Sequence, residues 1–371
     1  MYSYIQVVYK EYVFHSKQMP LSCLCCFSGI GGMGMMLPVH HVMMVERDPY
    51  ARMVLEARMA EGMLDKVPIH DDICTLKDPP PHDILIAGFP CQDISGAGHC
   101  AGFGGKKSVL FYEVSRLVNT ARPKYVLLEN VQNIINMTGV WQPVLKEMTR
   151  LGYDMHWTLV AAGHAGSPQK RMRWFCYCVR KREAGALEMT YGDDKMFKDG
   201  QCIGGVCTAV DGHQLPLSKL ARPLVFRALK DVACRGKVIT HDVKRYRWCT
   251  PRASGGNSAT RNMTNRSTRD ITSQLRFEVN TKERHMHHNP DWVDWLMGLP
   301  TGWTDVQRAE TEPFQGWKYE PCKRMSAKRP DHYTDRCKCL GNMCVPHSAK
   351  IAYDILTVRA GVRIEKEKES I

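Results

Sequence analysis

The residue of this chain best suited to covalent chemistry is the cysteine in Ala87-Gly88-Phe89-Pro90-Cys91-Gln92-Asp93-Ile94-Ser95. It follows the apolar run DILIA, which reads as a strand, and open α/β sheets keep their ligand crevice at the C-terminal ends of strands. A thiolate held there after a proline can attack an electrophilic carbon, whereas an arbitrary cysteine is usually a small core hydrophobe. The glycines at 96, 98, 102, 104 and 105 make the next segment a loop able to act as a lid, with Lys106 and Lys107 available to phosphates. Two further groups point to the same crevice. Glu129-Asn130-Val131 ends the run YVLLENV and presents a carboxyl at the same sheet edge. In Gln169-Lys170-Arg171-Met172-Arg173 the two arginines are expected on one side of an extended segment, because alternate strand residues share a face.

A second constellation lies upstream. Phe27-Ser28-Gly29-Ile30-Gly31-Gly32 follows the first apolar run, and the next run ends in Glu46-Arg47-Asp48. A glycine turn after a first strand lets a ligand approach the backbone, and an acidic residue some way on can accept both hydroxyls of a ribose. The glycine pattern falls short of Gly-x-Gly-x-x-Gly, which favours an adenosyl ligand over a nicotinamide one; a tight turn needing positive φ would give the same residues.

These residues need a sheet to hold them. From 21 to 180, short apolar runs alternate with helical stretches such as ARMVLEARMAEG and VLFYEVSRLVN, the pattern of an α/β fold whose parallel sheet is covered on both faces. After Cys178 the alternation gives way to a stretch rich in Gly, Ser, Thr, Asn and Arg. PDWVDWLMGLP and SAKIAYDILTVRA then read as helical. The expected organisation is an N-terminal extension over 1–20, with Met19 standing directly before the first strand, a catalytic domain over 21–180, a smaller irregular basic domain over 181–290, a return to the catalytic domain over 291–360 and a charged tail over 361–371.

Composition narrows the function. With 44% hydrophobic and 24% charged residues among 371, disorder throughout is excluded. No apolar run is long enough to span a membrane, and Lys10, Glu11 and His15 interrupt any secretory segment. Sixteen cysteines are too sparse for a disulfide scaffold, so an intracellular, reducing compartment is expected. The formal net charge is +13, and residues 181–290 hold 20 Lys/Arg against 11 Asp/Glu, so most of the surplus favouring a polyanionic partner sits in that segment. Cys322, Cys337, Cys339 and Cys344 lack paired Cys-x-x-Cys knuckles and read as free thiols, so no metal is expected; His285, His287 and His288 read as a polar loop.

The order FSGIGG, VERD, DDI, GFPCQDIS, ENV, QKRMR, a variable basic region and then GNMCV resembles the DNA (cytosine-5) methyltransferase family, in particular its small bacterial, viral and restriction-associated members, over residues 21–180 and 290–358. The resemblance implies a Rossmann-like methyltransferase fold, a mixed, mostly parallel sheet with helices on both faces, and S-adenosyl-L-methionine as methyl donor. It makes Cys91 the nucleophile that adds to carbon 6 of cytosine. Glu129 holds ring nitrogen 3 and the exocyclic amine, and Arg173, with Arg171 nearby, grips the carbonyl oxygen, with Asn130 and Gln169 as positioning groups. It assigns the donor pocket to Phe27, Ser28, Gly29, Ile30, Gly31, Gly32, Glu46, Arg47, Asp72, Ile73, Gly88, Pro90, Asn342 and Val345, with Gly341-Asn342 folding back beside the first strand. Arg47 stands where relatives often carry an apolar or aromatic cover for the adenine.

The implied partner is double-stranded DNA with its target base swung out of the helix, contacted by Gln92, Ser95, Lys106, Lys107, Arg245, Arg247, Arg252 and Arg261, with Arg266 and Arg269 as further candidates. A monomer is expected, a cognate restriction endonuclease is a candidate partner, and the compartment is cytoplasm or nucleoid in a bacterial or viral setting and nucleus in a eukaryotic one. Two alternatives stand beside this reading. A tRNA cytosine-5 methyltransferase would share the motifs, but its Cys-Phe-Thr signature is missing here. A catalytically inactive DNA-binding regulator would have no chemical reason to keep Cys91, Glu129, Arg171 and Arg173 together.

Overall fold

Leu21–Cys26 forms the first strand, β1, and every residue from Cys23 to Cys26 is buried, as a parallel strand covered on both faces requires. The computed structural model describes residues 20–90, 110–136, 138–181, 204–207, 248, 251, 287–308 and 310–361. In chain order β1 is followed by β2 (Val39–Val45), α1 (Pro49–Ala60), β3 (Ile69–His70), β4 (Ile84–Ala87), α2 (Leu110–Ala121), β5 (Tyr125–Val131), α3 (Thr138–Arg150), β6 (Tyr153–Ala161), β7 (Met172–Arg180) and β8 (Gly204–Cys207). Then come β9 (His287–His288), α4 (Pro290–Leu296), β10 (Met325–Ser326), α5 (Tyr333–Asn342) and α6 (Pro346–Arg359). The chain divides into two compact units. One comprises residues 1–76, 161–172 and 240–349, the other residues 77–160, 173–239 and 350–371.

In the first unit, β1 pairs in parallel with β2, and β2 with β3. Asp48 caps α1, its carboxylate accepting from the amides of Tyr50 (3.0 Å) and Ala51 (3.1 Å), and Pro49 stands where its missing N–H costs nothing. The late part of the chain belongs here too: the Tyr50 hydroxyl donates to the Thr304 carbonyl (2.8 Å), and buried Arg58 donates to the carbonyls of Gly302 (3.0 Å) and Trp303 (3.1 Å). That turn is organised by Asp294, whose fully buried carboxylate accepts from the Gly302 amide (3.1 Å) and the Thr304 hydroxyl (2.9 Å), with Arg336 at 3.6 Å. Burial pushes the Asp294 pKa up to about 7, although Arg336 and Thr304 pull it down.

His287 and His288 are not in a polar loop. They form β9, antiparallel to β10, and buried His288 shares hydrogen bonds with the Tyr333 hydroxyl (2.9 Å) and the Cys337 thiol (3.0 Å), partners too distant in sequence for spacing to reveal.

In the second unit the strand order is β4-β5-β7-β6-β8. β4 runs parallel to β5, with Ala87 opposite Leu128, whereas β5 and β7 are antiparallel, as are β6 and β8. The sheet strands are thus parallel except around the late β6–β8 group, and helices cover them. α2 buries Phe111, Val114, Leu117 and Val118, a 3.6-residue stripe, and Trp141 of α3 lies edge-on to Trp157 (5.8 Å) and Trp174 (5.5 Å). Among the described residues no helix is long and apolar enough to cross a membrane, and no group of three or more His, Cys, Asp or Glu side chains is arranged to hold a metal ion.

Candidate active site

β1 runs directly into a tight turn, most of it buried, with Gly29 partly exposed. Phe27 adopts φ 55° and Gly29 φ 54°, and the conformation at Phe27 costs about 1 kcal/mol for a residue with a side chain. The Ser28 hydroxyl donates to the Cys25 carbonyl (2.9 Å), fixing the exit from the strand. The three glycines differ in what surrounds them. A Cβ at Gly29 would meet no atom within 4 Å, so the space beside it is open to a ligand. One at Gly31 (φ 87°) would stand 3.0 Å from Leu64, and one at Gly32 would stand 2.6 Å from Met343 Cε. Gly31 and Gly32 are small for packing, and only Gly29 leaves open room.

Glu46, at the end of β2, faces this turn. Its two carboxylate oxygens accept from the amides of Gly29 (2.7 Å) and Asp48 (2.8 Å), which leaves acceptor capacity on the carboxylate. Burial raises the Glu46 pKa despite the opposing pull of those amides. Asp72 closes a turn by accepting from the Cys74 amide (2.9 Å); that bond, reinforced by the charge of exposed Arg47, holds its carboxyl below the usual range. Ile73 is buried beside it. From the far segment, Met343 packs on Gly32 of the turn after β1, Val345 is buried, and Asn342 ends α5 exposed.

Trp303 supports the turn from beneath, its indole N–H donating to the Ile30 carbonyl (2.9 Å). The run PDWVDWLMGLP is helical only in part. The helix stops at Leu296, and Gly302 at φ 84° marks the bend that delivers Trp303.

In the second unit, the ends of β4, β5 and β7 collect the polar residues. The antiparallel register sets Glu129 opposite Phe175 and Val131 opposite Arg173, so the Glu129 carboxylate meets the Arg173 guanidinium diagonally at 3.1 Å, both largely buried. The Asn130 side-chain amide donates to the Phe89 carbonyl (3.2 Å), and the Phe89 ring packs against Phe111 (5.2 Å). Phe89 and Pro90, which lead to the nucleophile candidate, are therefore tied to the residue following Glu129. Cys91 itself lies outside the described residues, as do Gln92, Ser95, Lys106, Lys107, Arg245, Arg247, Arg252, Arg261, Arg266 and Arg269.

Arg171 departs from the expected shared face. It has φ 25° and precedes β7, which begins only at Met172, so the two-residue period does not run across it. Arg171 is 2% exposed, and its guanidinium donates to the carbonyls of Pro251 (3.1 Å), Gly341 (2.8 Å) and Met343. Gln169 is likewise buried, donating to the Leu296 carbonyl (2.8 Å).

A Rossmann-like α/β core with this glycine turn defines the methyltransferase fold, and the structure is similar to the Entamoeba histolytica methyltransferase EhMeth, with a TM-score of 0.52 at 11% identity over 92% of this chain and 99% of that one. A family model for C-5 cytosine-specific DNA methylase matches residues 21–287, and the chain belongs to that family. Among curated proteins it is similar to the Type II methyltransferase M.NgoBI of Neisseria gonorrhoeae, 36% identical over 152 residues that make up 40% of this chain and 47% of that protein. It is also similar to M.HhaI of Haemophilus parahaemolyticus, 34% identical over 161 residues (42% and 47%), and to M.CviJI of Paramecium bursaria Chlorella virus IL3A, 39% identical over 99 residues (27% of each). The chain spans less than half the length of the curated relatives it matches.

Proposed function

We propose that this chain transfers a methyl group from S-adenosyl-L-methionine to carbon 5 of a cytosine swung out of double-stranded DNA. The observation that carries the reading is the buried Glu129–Arg173 pair at a strand edge whose neighbouring strand leads, through an anchored Phe89-Pro90, to Cys91. When bound, the donor supplies an electrophilic methyl carbon on a sulfonium. The turn from Phe27 to Gly32 fits an adenosyl group, because Gly29 leaves open room and Glu46 has lone pairs left for ribose hydroxyls.

Carbon 5 of cytosine is a weak nucleophile. In the proposed mechanism the Cys91 thiolate adds to carbon 6, placing an electron pair on carbon 5 that takes the methyl carbon, while the electrons of the broken S–CH3 bond stay on sulfur as a thioether. Loss of the carbon 5 proton to water then lets the C6–S bond break and returns the thiolate. Glu129, as the protonated acid, donates a hydrogen bond or proton toward ring nitrogen 3, and Arg173 orients both the Glu129 carboxyl group and the base oxygen. The basic stretch within 181–290 supplies phosphate contacts and target choice.

DNA containing 5-fluorocytosine tests this directly, since fluorine cannot leave as a proton does. The native protein should form a denaturant-resistant adduct, and Cys91→Ala none. Methyl transfer surviving in Cys91→Ala would reject the assignment, and methyl uptake by tRNA in preference to duplex DNA would move the substrate to RNA.

A further inference from the structure

We infer that Arg171 is a positioning residue that locks one wall of the donor pocket to a segment within the basic region, and that it does not touch the base. The inference rests on the proposed function for the identity of donor and base. Three acceptors are held by one buried guanidinium. Gly341 and Met343 bracket Asn342, and Met343 in turn presses on Gly32 of the donor turn. The third, Pro251, belongs to a segment seated on the same short stretch, where the Trp248 amide donates to the Pro168 carbonyl (3.0 Å) and the Trp248 ring stands edge-on to Trp292 (5.1 Å). All of these residues belong to the first unit.

A guanidinium is the one side chain whose rigid fork can serve several carbonyls at once; an ammonium at that position keeps the charge but loses the fork. The backbone at φ 25° aims Arg171 into its own unit, while Arg173 reaches Glu129. Two arginines read as a matched pair thus have separate tasks. Arg171 makes donor pocket and recognition segment into one block, so ordering either end favours order at the other.

The test compares Arg171→Lys with Arg173→Lys in the full chain. For Arg171→Lys, calorimetry should show S-adenosyl-L-methionine binding weakened about tenfold, the scale of one lost charge-assisted hydrogen bond. Amide hydrogen exchange should speed up in the peptides containing Met343 and Pro251, with the kinetic defect concentrated in the donor KM rather than kcat. For Arg173→Lys the loss should fall on adduct formation with 5-fluorocytosine DNA, leaving donor affinity and exchange as in the native protein. Native donor affinity and exchange in Arg171→Lys, combined with loss of adduct, would overturn the inference and return Arg171 to the base.

Should Arg171→Lys not fold, the native protein still decides: donor binding should slow exchange at the Pro251 peptide as well as at the Met343 peptide, and protection confined to the latter would refute the lock. A native protein that neither binds donor nor forms adduct would refute the proposed function, while its exchange rates relative to Arg171→Lys would still report on the lock.

Discussion

Glu129 and Arg173 illustrate how much two side chains can specify when strand register brings them together. Glu129→Gln keeps the shape and loses the acid, so methyl transfer at saturating donor should fall by a factor on the order of 10² to 10⁴, with calorimetric donor affinity retained; a loss confined to donor affinity would contradict the assignment. Gly29→Ala should act differently. The open space would accept the methyl, but φ 54° would not, so a destabilisation of about 1 kcal/mol in a denaturant titration is expected, together with weaker donor binding. At this scale the sequence was informative for Glu129 and Arg173, whose order along the chain carries the resemblance. For Arg171 it suggests a face shared with Arg173, because the period-two rule assumes extended backbone and nothing in Gln-Lys-Arg-Met-Arg announces the positive φ that precedes β7. Spacing was silent on the different duties of Gly29, Gly31 and Gly32, which depend on Leu64 and Met343 arriving from elsewhere.

Elements explain a second set of properties. His41 on β2 is buried and meets Asp65 at 2.9 Å, which ties the strand to the segment after α1. Burial disfavours its charged form, but hydrogen bonds to Asp65 and Cys25 outweigh that and raise its pKa to about 9. A histidine whose folded pKa lies above its unfolded 6.5 contributes stability fully below pH 6.5 and loses it as pH rises through about 9. The shift corresponds to a contribution on the order of 3 kcal/mol. The melting temperature should therefore drop by several degrees across that window, and His41→Gln should flatten the dependence; an unchanged slope in the variant would place its origin elsewhere. Most elements were legible. The apolar runs of β1, β2, β4 and β5 and the stripes of α1 and α2 announce themselves. By contrast α3 contains Pro143 and starts at Thr-Gly, signals of a break, and is held by Trp141 against Trp157 and Trp174, contacts that local pattern does not encode.

On the scale of the whole molecule, the sequence leads one to expect a late return to the catalytic domain but not which late residues meet which early ones. Residues 302–305 serve α1 and the donor turn although some 250 residues separate them, and only tertiary bonds such as Trp303 to Ile30 reveal it. The concentration of positive charge within 181–290 leads to an ionic-strength prediction. The logarithm of DNA affinity should fall steeply and linearly with the logarithm of salt concentration, while donor affinity stays nearly flat. A shallow slope for DNA would show that phosphate contacts are few.

The seating of Trp248 and Pro251 also has a practical side. On the proposed reading, an exchange of part of the basic region for a foreign sequence should leave Trp248 and Pro251 in place. An exchange that removed them would discard two anchors, the Trp248 amide on Pro168 and the Pro251 carbonyl on Arg171, and on the inference above the chimaera should bind donor less tightly.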